Sequence, residues 1–231
     1  MVRLQEESIS MAFVYMHKYQ RWVRKAKEDQ FPFEVEGLLD DYTIALTSLV
    51  LATKSTESPR RLRELLLPAY SLLHPSHPPL TFPSYKYDNL RDTLVNSELI
   101  MLRVLKFDLL LPLPYQYLEK YLSRVLVVGG LRGAQDLDDS KPGRKEEYAI
   151  VEVINGGTGR KARGVVYDAM KNPKMILYPA RVIAAAAVYI TIREQGFGVV
   201  MSTEEWVAAM TDKRVEACDL EEILEDLGKE L

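Results

Sequence analysis

An all-α fold follows from three observations. Apolar residues recur at spacings of three and four over most of the 231 residues, the period of a helix with one buried face. Two segments, TIALTSLVLATK (43–54) and ARVIAAAAVYITI (180–192), are apolar almost all round, so each belongs at the centre of a helical cluster. A break carrying Pro112 and Pro114 separates the two clusters.

Ile9, Ala12, Phe13, Met16, Tyr19 and Val23 mark an amphipathic helix from Glu6 to Lys27. Asp40 or Asp41 caps the next helix, Tyr42 to about Lys54. Pro59 suits a first helical turn, so a third helix runs from Arg60 to His74. A proline-rich loop follows. Asp88 can cap a long helix to about Phe107, with Leu90, Leu94, Val95, Leu99, Leu102 and Leu105 facing inward. Tyr115 to about Val128 reads as another helix. The stretch 127–162 is charge-rich, glycine-rich and without helical period, which makes it a surface insertion, although Tyr148–Ile154 alternates loosely and could pair as a strand. Helix resumes near Lys161, and Asn172-Pro173 stops it. Pro179 opens the buried helix. Ser202 with Glu205 forms a capping box before a short helix bearing Trp206, and a last helix spans Val215 to Leu231.

Composition removes several function classes. An apolar fraction of 47% is enough for a core, so wholesale disorder is excluded. A net charge of −3 speaks against a dedicated nucleic-acid binder. One cysteine, Cys218, permits neither an internal disulfide nor a cysteine zinc site, which fits a reducing compartment. The most apolar stretch, Met175–Ile192, is interrupted by Pro179 and Arg181 and is too short for a membrane span; no membrane association is expected. The first residues lack the apolar core of a signal peptide.

Catalytic and metal motifs fail individually. GGTGRK, Gly156 to Lys161, lacks phosphate-loop spacing and follows no clear strand. His74 and His77 sit among prolines with no acidic ligand nearby, and His17 reads as a surface residue beside Lys18. Arg21, Arg24, Lys25 and Lys27 read as a solvated helix end. No cofactor, metal or small-molecule substrate is expected.

The informative residues are charges set against apolar helices. Lys54 ends the second helix, Glu57 follows, and Glu98 lies in an otherwise apolar run. A charge at the edge of a core is costly unless paired. Two readings stand: a Lys and a Glu that each reach water, or a Lys/Glu couple at the rim of an apolar groove that holds a partner's backbone.

At these residues the chain resembles the cyclins. LVLATKSTESPRRLRELL (49–66) is similar to the family's buried helix, Lys, Glu and basic helix. SELIMLRVLKFDLLLPLPYQYLEKYL (97–122) resembles the family's fifth helix and the lead into its second repeat. EESISMAFVYMHKYQ (6–20) resembles the second cyclin helix, nearest to transcription-type members. LYPARVIAAAAVYI (177–190), with Trp206 beyond it, resembles the core of the second cyclin box. Within the family, LRDTLVNSELIMLRVLKFDL (90–109) resembles cyclin Q. VVYDAMKNPKMILYPARVIA (165–184) resembles the cyclin subunit of fungal kinases that phosphorylate the RNA polymerase II tail.

The resemblance implies tandem cyclin boxes, 1–110 and 111–231, the first without the family's leading helix and the second with the 127–162 insertion. It implies a regulatory subunit rather than an enzyme, nuclear or also cytoplasmic, that binds and activates a cyclin-dependent serine/threonine kinase in transcription or cell-cycle control. Lys54 and Glu98 match the pair that bonds backbone near the kinase helix, with Glu57 beside them. Leu102, Lys106, Phe107 and Leu109 fall at groove-lining positions, though for Phe107 plain core packing stands equally. Two other functions remain: a cyclin-box adaptor that activates no kinase, such as a basal-transcription-factor-like protein, and an unrelated helical enzyme. The missing site residues speak against the second.

Overall fold

The computed structural model describes residues 4–29, 39–124, 126–128, 148–150, 156–199 and 202–228. The chain divides into two compact units, Met1–Leu111 and Pro112–Leu231. The fold is all-α, as the sequence predicts.

In the first unit, α1 (Glu6–Glu28) packs on α2 (Asp41–Ser55) and buries several small residues, Ser8, Ser10, Ala12 and Val14 among them. Small side chains let two helix backbones come close. Helix α2 is central: α1, α3 (Leu62–Leu73) and α4 (Tyr85–Val104) all pack on it. Leu46, Val50, Leu65, Leu66, Tyr70, Leu80, Tyr87 and Leu94 form one apolar cluster between them. Asp40 caps α2, accepting from Thr43 N at 2.9 Å, and Ser84 caps α4, accepting from Tyr87 N at 3.2 Å.

Several expectations are corrected here. Helix α3 begins at Leu62, leaving Pro59 outside it, and α4 starts at Tyr85 and stops at Val104 rather than Phe107. Val95 and Leu99 are exposed, because α4 rests on its neighbours along one side only. His17, expected at the surface, is 3% exposed.

In the second unit, α7 (Ala180–Glu194) is the central element. Every residue from Val182 to Ile192 is buried, and α5 (Tyr115–Leu122), α6 (Gly157–Met170), α8 (Thr203–Thr211) and α9 (Ala217–Asp226) surround it. Pro179 precedes α7 and Ser202 caps α8, accepting from Glu205 N at 3.3 Å. The capping of α9 is reciprocal, between Glu216 and Asp219. Helix α5 ends at Leu122, not near Val128. Leu126–Val128 is instead β1, antiparallel to β2 (Tyr148–Ile150) on one side and to β3 (Gly198–Val199) on the other. Helix α6 opens at Gly157, inside the stretch expected to be insertion; the rest of that stretch lies largely outside the described residues. A 3₁₀ turn, Pro173–Leu177, leads from α6 into α7. Among the described residues no helix is long and apolar enough to cross a membrane.

Candidate functional site

The packing of α2 against α4 brings Lys54 and Glu98 together across 44 residues of sequence. Lys54 Nζ donates to both carboxylate oxygens of Glu98, at 2.5 Å and 2.8 Å. Glu98 is 17% exposed and Lys54 53%. Lys54 also lies in the last turn of α2, where the helix dipole favours a cation. A pair this open to water contributes only about 0–1 kcal/mol to folding. Its usefulness lies elsewhere: it sets two fixed, complementary charges beside the exposed Val95 and Leu99 and the half-buried Leu102.

Two further candidates sit at helix ends, in the same motif. After α2, Glu57 N donates to Lys54 O at 3.3 Å and Ser58 N to Thr53 O at 2.9 Å. After α4, Lys106 N donates to Arg103 O at 3.0 Å and Phe107 N to Leu102 O at 2.9 Å. Both are Schellman closures, whose left-handed residue is most often glycine. Here it is Glu57, at φ 53°, and Lys106, at φ 54°, and Phe107 stays left-handed at 58°. A left-handed residue with a side chain costs about 1 kcal/mol or more. The consequence of the closure after α4 is that Phe107 stands 67% exposed, which removes the core-packing reading. Leu109 is half-buried beyond it, and Leu110 is 86% exposed.

A residue that the sequence reading passed over holds this segment in place. Tyr15 of α1 is fully buried, and its hydroxyl donates to Leu109 O at 2.8 Å and lies 2.8 Å from Ser55 Oγ. One phenol therefore ties the residue after Lys54 to the segment after α4. Burial, reinforced by the charge of Asp108, raises the Tyr15 pKa above that of a free tyrosine, so the group stays a neutral donor. Asp108 is itself 3.9 Å from Lys18 of α1. Periodicity marks an aromatic on a buried face; it carries no sign of what the hydroxyl will reach. The structure thus joins Lys54 to Glu98 directly and Leu109 to the end of α2 through Tyr15. Glu57, Lys106 and Phe107 point into solvent nearby.

Fold and site define a class: an all-α chain of two helical units, the first presenting a Lys–Glu pair beside exposed apolar side chains. No protein-family model matches the chain. It is similar to Cyclin pch1 of Schizosaccharomyces pombe (strain 972 / ATCC 24843), 20% identical over 224 residues that cover 96% of this chain and 55% of that protein. The chain thus spans about half the length of the curated relative it matches. It also shares the fold of a chain in the crystal structure of the yeast RNA Pol II CTD kinase CTDK-1 complex. There the identity is 14% and the TM-score 0.56, over 98% of this chain and 71% of the other. The likeness to cyclins read from the sequence is borne out.

Proposed function

We propose that the chain is a regulatory subunit that binds and activates a cyclin-dependent serine/threonine kinase, in the nucleus and in the service of transcription. The observation that carries this reading is the Lys54–Glu98 pair among the exposed Val95, Leu99, Phe107 and Leu110. The two compact units are the tandem cyclin boxes. The similar structure is that of an RNA Pol II CTD kinase complex, which makes a kinase of that kind the first partner to test.

The mechanism is differential binding. The kinase helix whose Glu must pair with the ATP-binding Lys lies inward when the kinase is active. Taking that equilibrium from mostly out to mostly in needs about 5.5 kcal/mol. An interface of roughly 2,000 Å² with an apolar centre can supply it. Phe107 and Leu102 give the apolar contact. Lys54 donates to backbone carbonyls of the kinase and Glu98 accepts from its N–H groups, each keeping the other from being left unpaired once water is expelled.

The test is affinity purification of the tagged chain from its own cells, beside a Lys54→Ala/Glu98→Ala double variant, with bound proteins identified by mass spectrometry. A kinase retained by wild type and lost by the variant is expected. A folded wild type that retains no kinase overturns the reading.

A further inference from the structure

We propose that the far end of α4 carries a second docking surface, for an acidic peptide with aliphatic or aromatic anchors. It is built from the last turn of α3, the loop 74–84 and the first turn of α4. Leu72 (84% exposed), Leu73, Phe82 and Tyr85 (82%) project into solvent there, above the buried Tyr70 and Tyr87. Rings hold the loop in place: Phe82 meets Tyr87 edge-on at 4.8 Å, Tyr70 lies 4.6 Å from His74, and His74 lies 5.4 Å from His77. A surface already ordered in this way loses little freedom on binding.

Charge identifies the occupant. Arg63 lies over the Phe82 ring at 5.5 Å, and Lys86 lies over the Tyr70 ring at 4.5 Å while donating to its hydroxyl. Among the described residues neither forms an ion pair. A cation resting on a ring face keeps its charge available, and a guanidinium there can still donate two parallel hydrogen bonds to a carboxylate. Residues 60–88 carry Arg60, Arg61, Arg63 and Lys86 against Glu64 and Asp88, in a chain whose net charge is −3. The stretch thus has the opposite sign to the whole protein, and two cations that form no ion pair among the described residues, Arg63 and Lys86, lie at the patch itself, where they complement an acidic ligand. Two cations bordering four large apolar side chains fit a peptide better than nucleic acid, which asks for a row of phosphate contacts.

The surface is separate from the Lys54–Glu98 end. Along α4, Tyr85 and Glu98 lie 13 residues apart, which at 1.5 Å each is about 20 Å. Occupation of one end leaves the other open, so the proposal does not depend on the kinase reading.

The probe is a short fluorescein-labelled peptide that alternates Asp/Glu pairs with Leu and Phe, titrated by the full chain in fluorescence polarisation. Saturable, salt-weakened binding is expected. Arg63→Glu/Lys86→Glu should weaken it about tenfold or more, and Leu72→Ser/Tyr85→Ser by a similar factor, with helical circular dichroism unchanged. Amide NMR shifts in the wild type should cluster in residues 60–92, a readout that needs no variant. Absence of saturable binding, equal binding of a peptide with Lys in place of Asp and Glu, or shifts elsewhere would overturn the proposal. Sedimentation showing that Leu72 and Tyr85 pair two copies of this chain, or displacement of the peptide by single-stranded DNA, would overturn it in favour of those occupants.

Discussion

Helices α2 and α7 hold the central place in their respective units, and they are finished differently. Helix α7 is buried on all sides from Val182 to Ile192, and its end is closed by Gly196, left-handed at φ 79°. Gly196 N bonds Arg193 O at 3.0 Å and Phe197 N bonds Ile192 O at 3.0 Å, the Schellman pattern with its usual residue. Helix α2 mixes Thr43, Thr47, Ser48 and Thr53 into its buried face, carries Lys54 in its last turn, and is closed by Glu57. The surfaces follow suit. Of the large apolar side chains strongly exposed among the described residues, Leu177 alone belongs to the second unit. Leu72, Leu73, Phe82, Tyr85, Val95, Leu99, Phe107 and Leu110 all belong to the first. The second unit spends its sequence on packing, and the first keeps strain and apolar surface where partners can use them. Asp212 and Lys213, also left-handed, are the exception in the second unit, and there Asp212 bridges Lys120 and Arg124.

The contrast can be broken at several points. Ile192→Ala removes a fully buried side chain from the packed helix and should cost about 2–5 kcal/mol in urea unfolding. Leu99→Ala, on the exposed face of α4, should change stability by less than about 0.5 kcal/mol. Similar losses at the two sites would erase the distinction.

The helix closures give the next largest effect. No atom lies within 4 Å of a Cβ placed on Gly196, so Gly196→Ala tests backbone strain alone and should destabilise by roughly 1–2 kcal/mol. Lys106→Gly should have the opposite sign. Relief of the left-handed strain exceeds the extra unfolded-chain entropy, leaving about 0–1 kcal/mol of stabilisation, while kinase retention falls. Destabilisation by more than that would mean that the Lys106 side chain serves the fold.

The smallest effect is in pH. In the second unit, hydrogen bonds from Lys120 and then Arg124 hold the Asp212 carboxyl below the ordinary range, and Lys174 and then Tyr178 do the same for Asp226. With folded values depressed, their stabilisation is present above the ordinary Asp value of about 3.9 and is lost as pH falls through the lower folded values. Burial, followed by the hydrogen bond to Asp226, raises the Tyr178 pKa. Its contribution is present below about 10 and is lost as pH rises from there. Thermal melts across pH should show a flatter acid limb for Asp226→Asn than for wild type; identical limbs would remove this clasp from the account.

Much of the fold was legible because helical period and caps are local signals. Helices α1, α2 and α7 run close to their expected spans and Asp40 caps as read, whereas Ser202 accepts from Glu205 N without the answering bond from the Glu205 side chain that a capping box requires. What failed depends on distant partners. Strands of two or three residues, such as Leu126–Val128, are too short to declare a period of two, and only the Tyr148 segment hinted at pairing. Val95 and Leu99 carry the inward spacing, yet among the described residues no helix covers that face. His17 falls on the buried line of Ser10 and Val14, at spacings of four and three, against the expectation from its neighbour Lys18. In the site, Lys54 and Glu98 stood out as charges against apolar helices, whereas their pairing needed the packing of α2 on α4. The Tyr15 clamp on Leu109 had no local signature at all.

The central claim is that the Lys54–Glu98 pair exists for association rather than for folding. The most direct measurement is a double-mutant cycle on the dissociation constant of the recovered kinase, with Lys54→Ala, Glu98→Ala and both, alongside unfolding of each free variant. The expected result is a loss of about 2–5 kcal/mol in binding for each single change, a double change costing less than their sum, and unfolding shifted by no more than about 1 kcal/mol. Unchanged kinase affinity, or a stability loss as large as the binding loss, would contradict it.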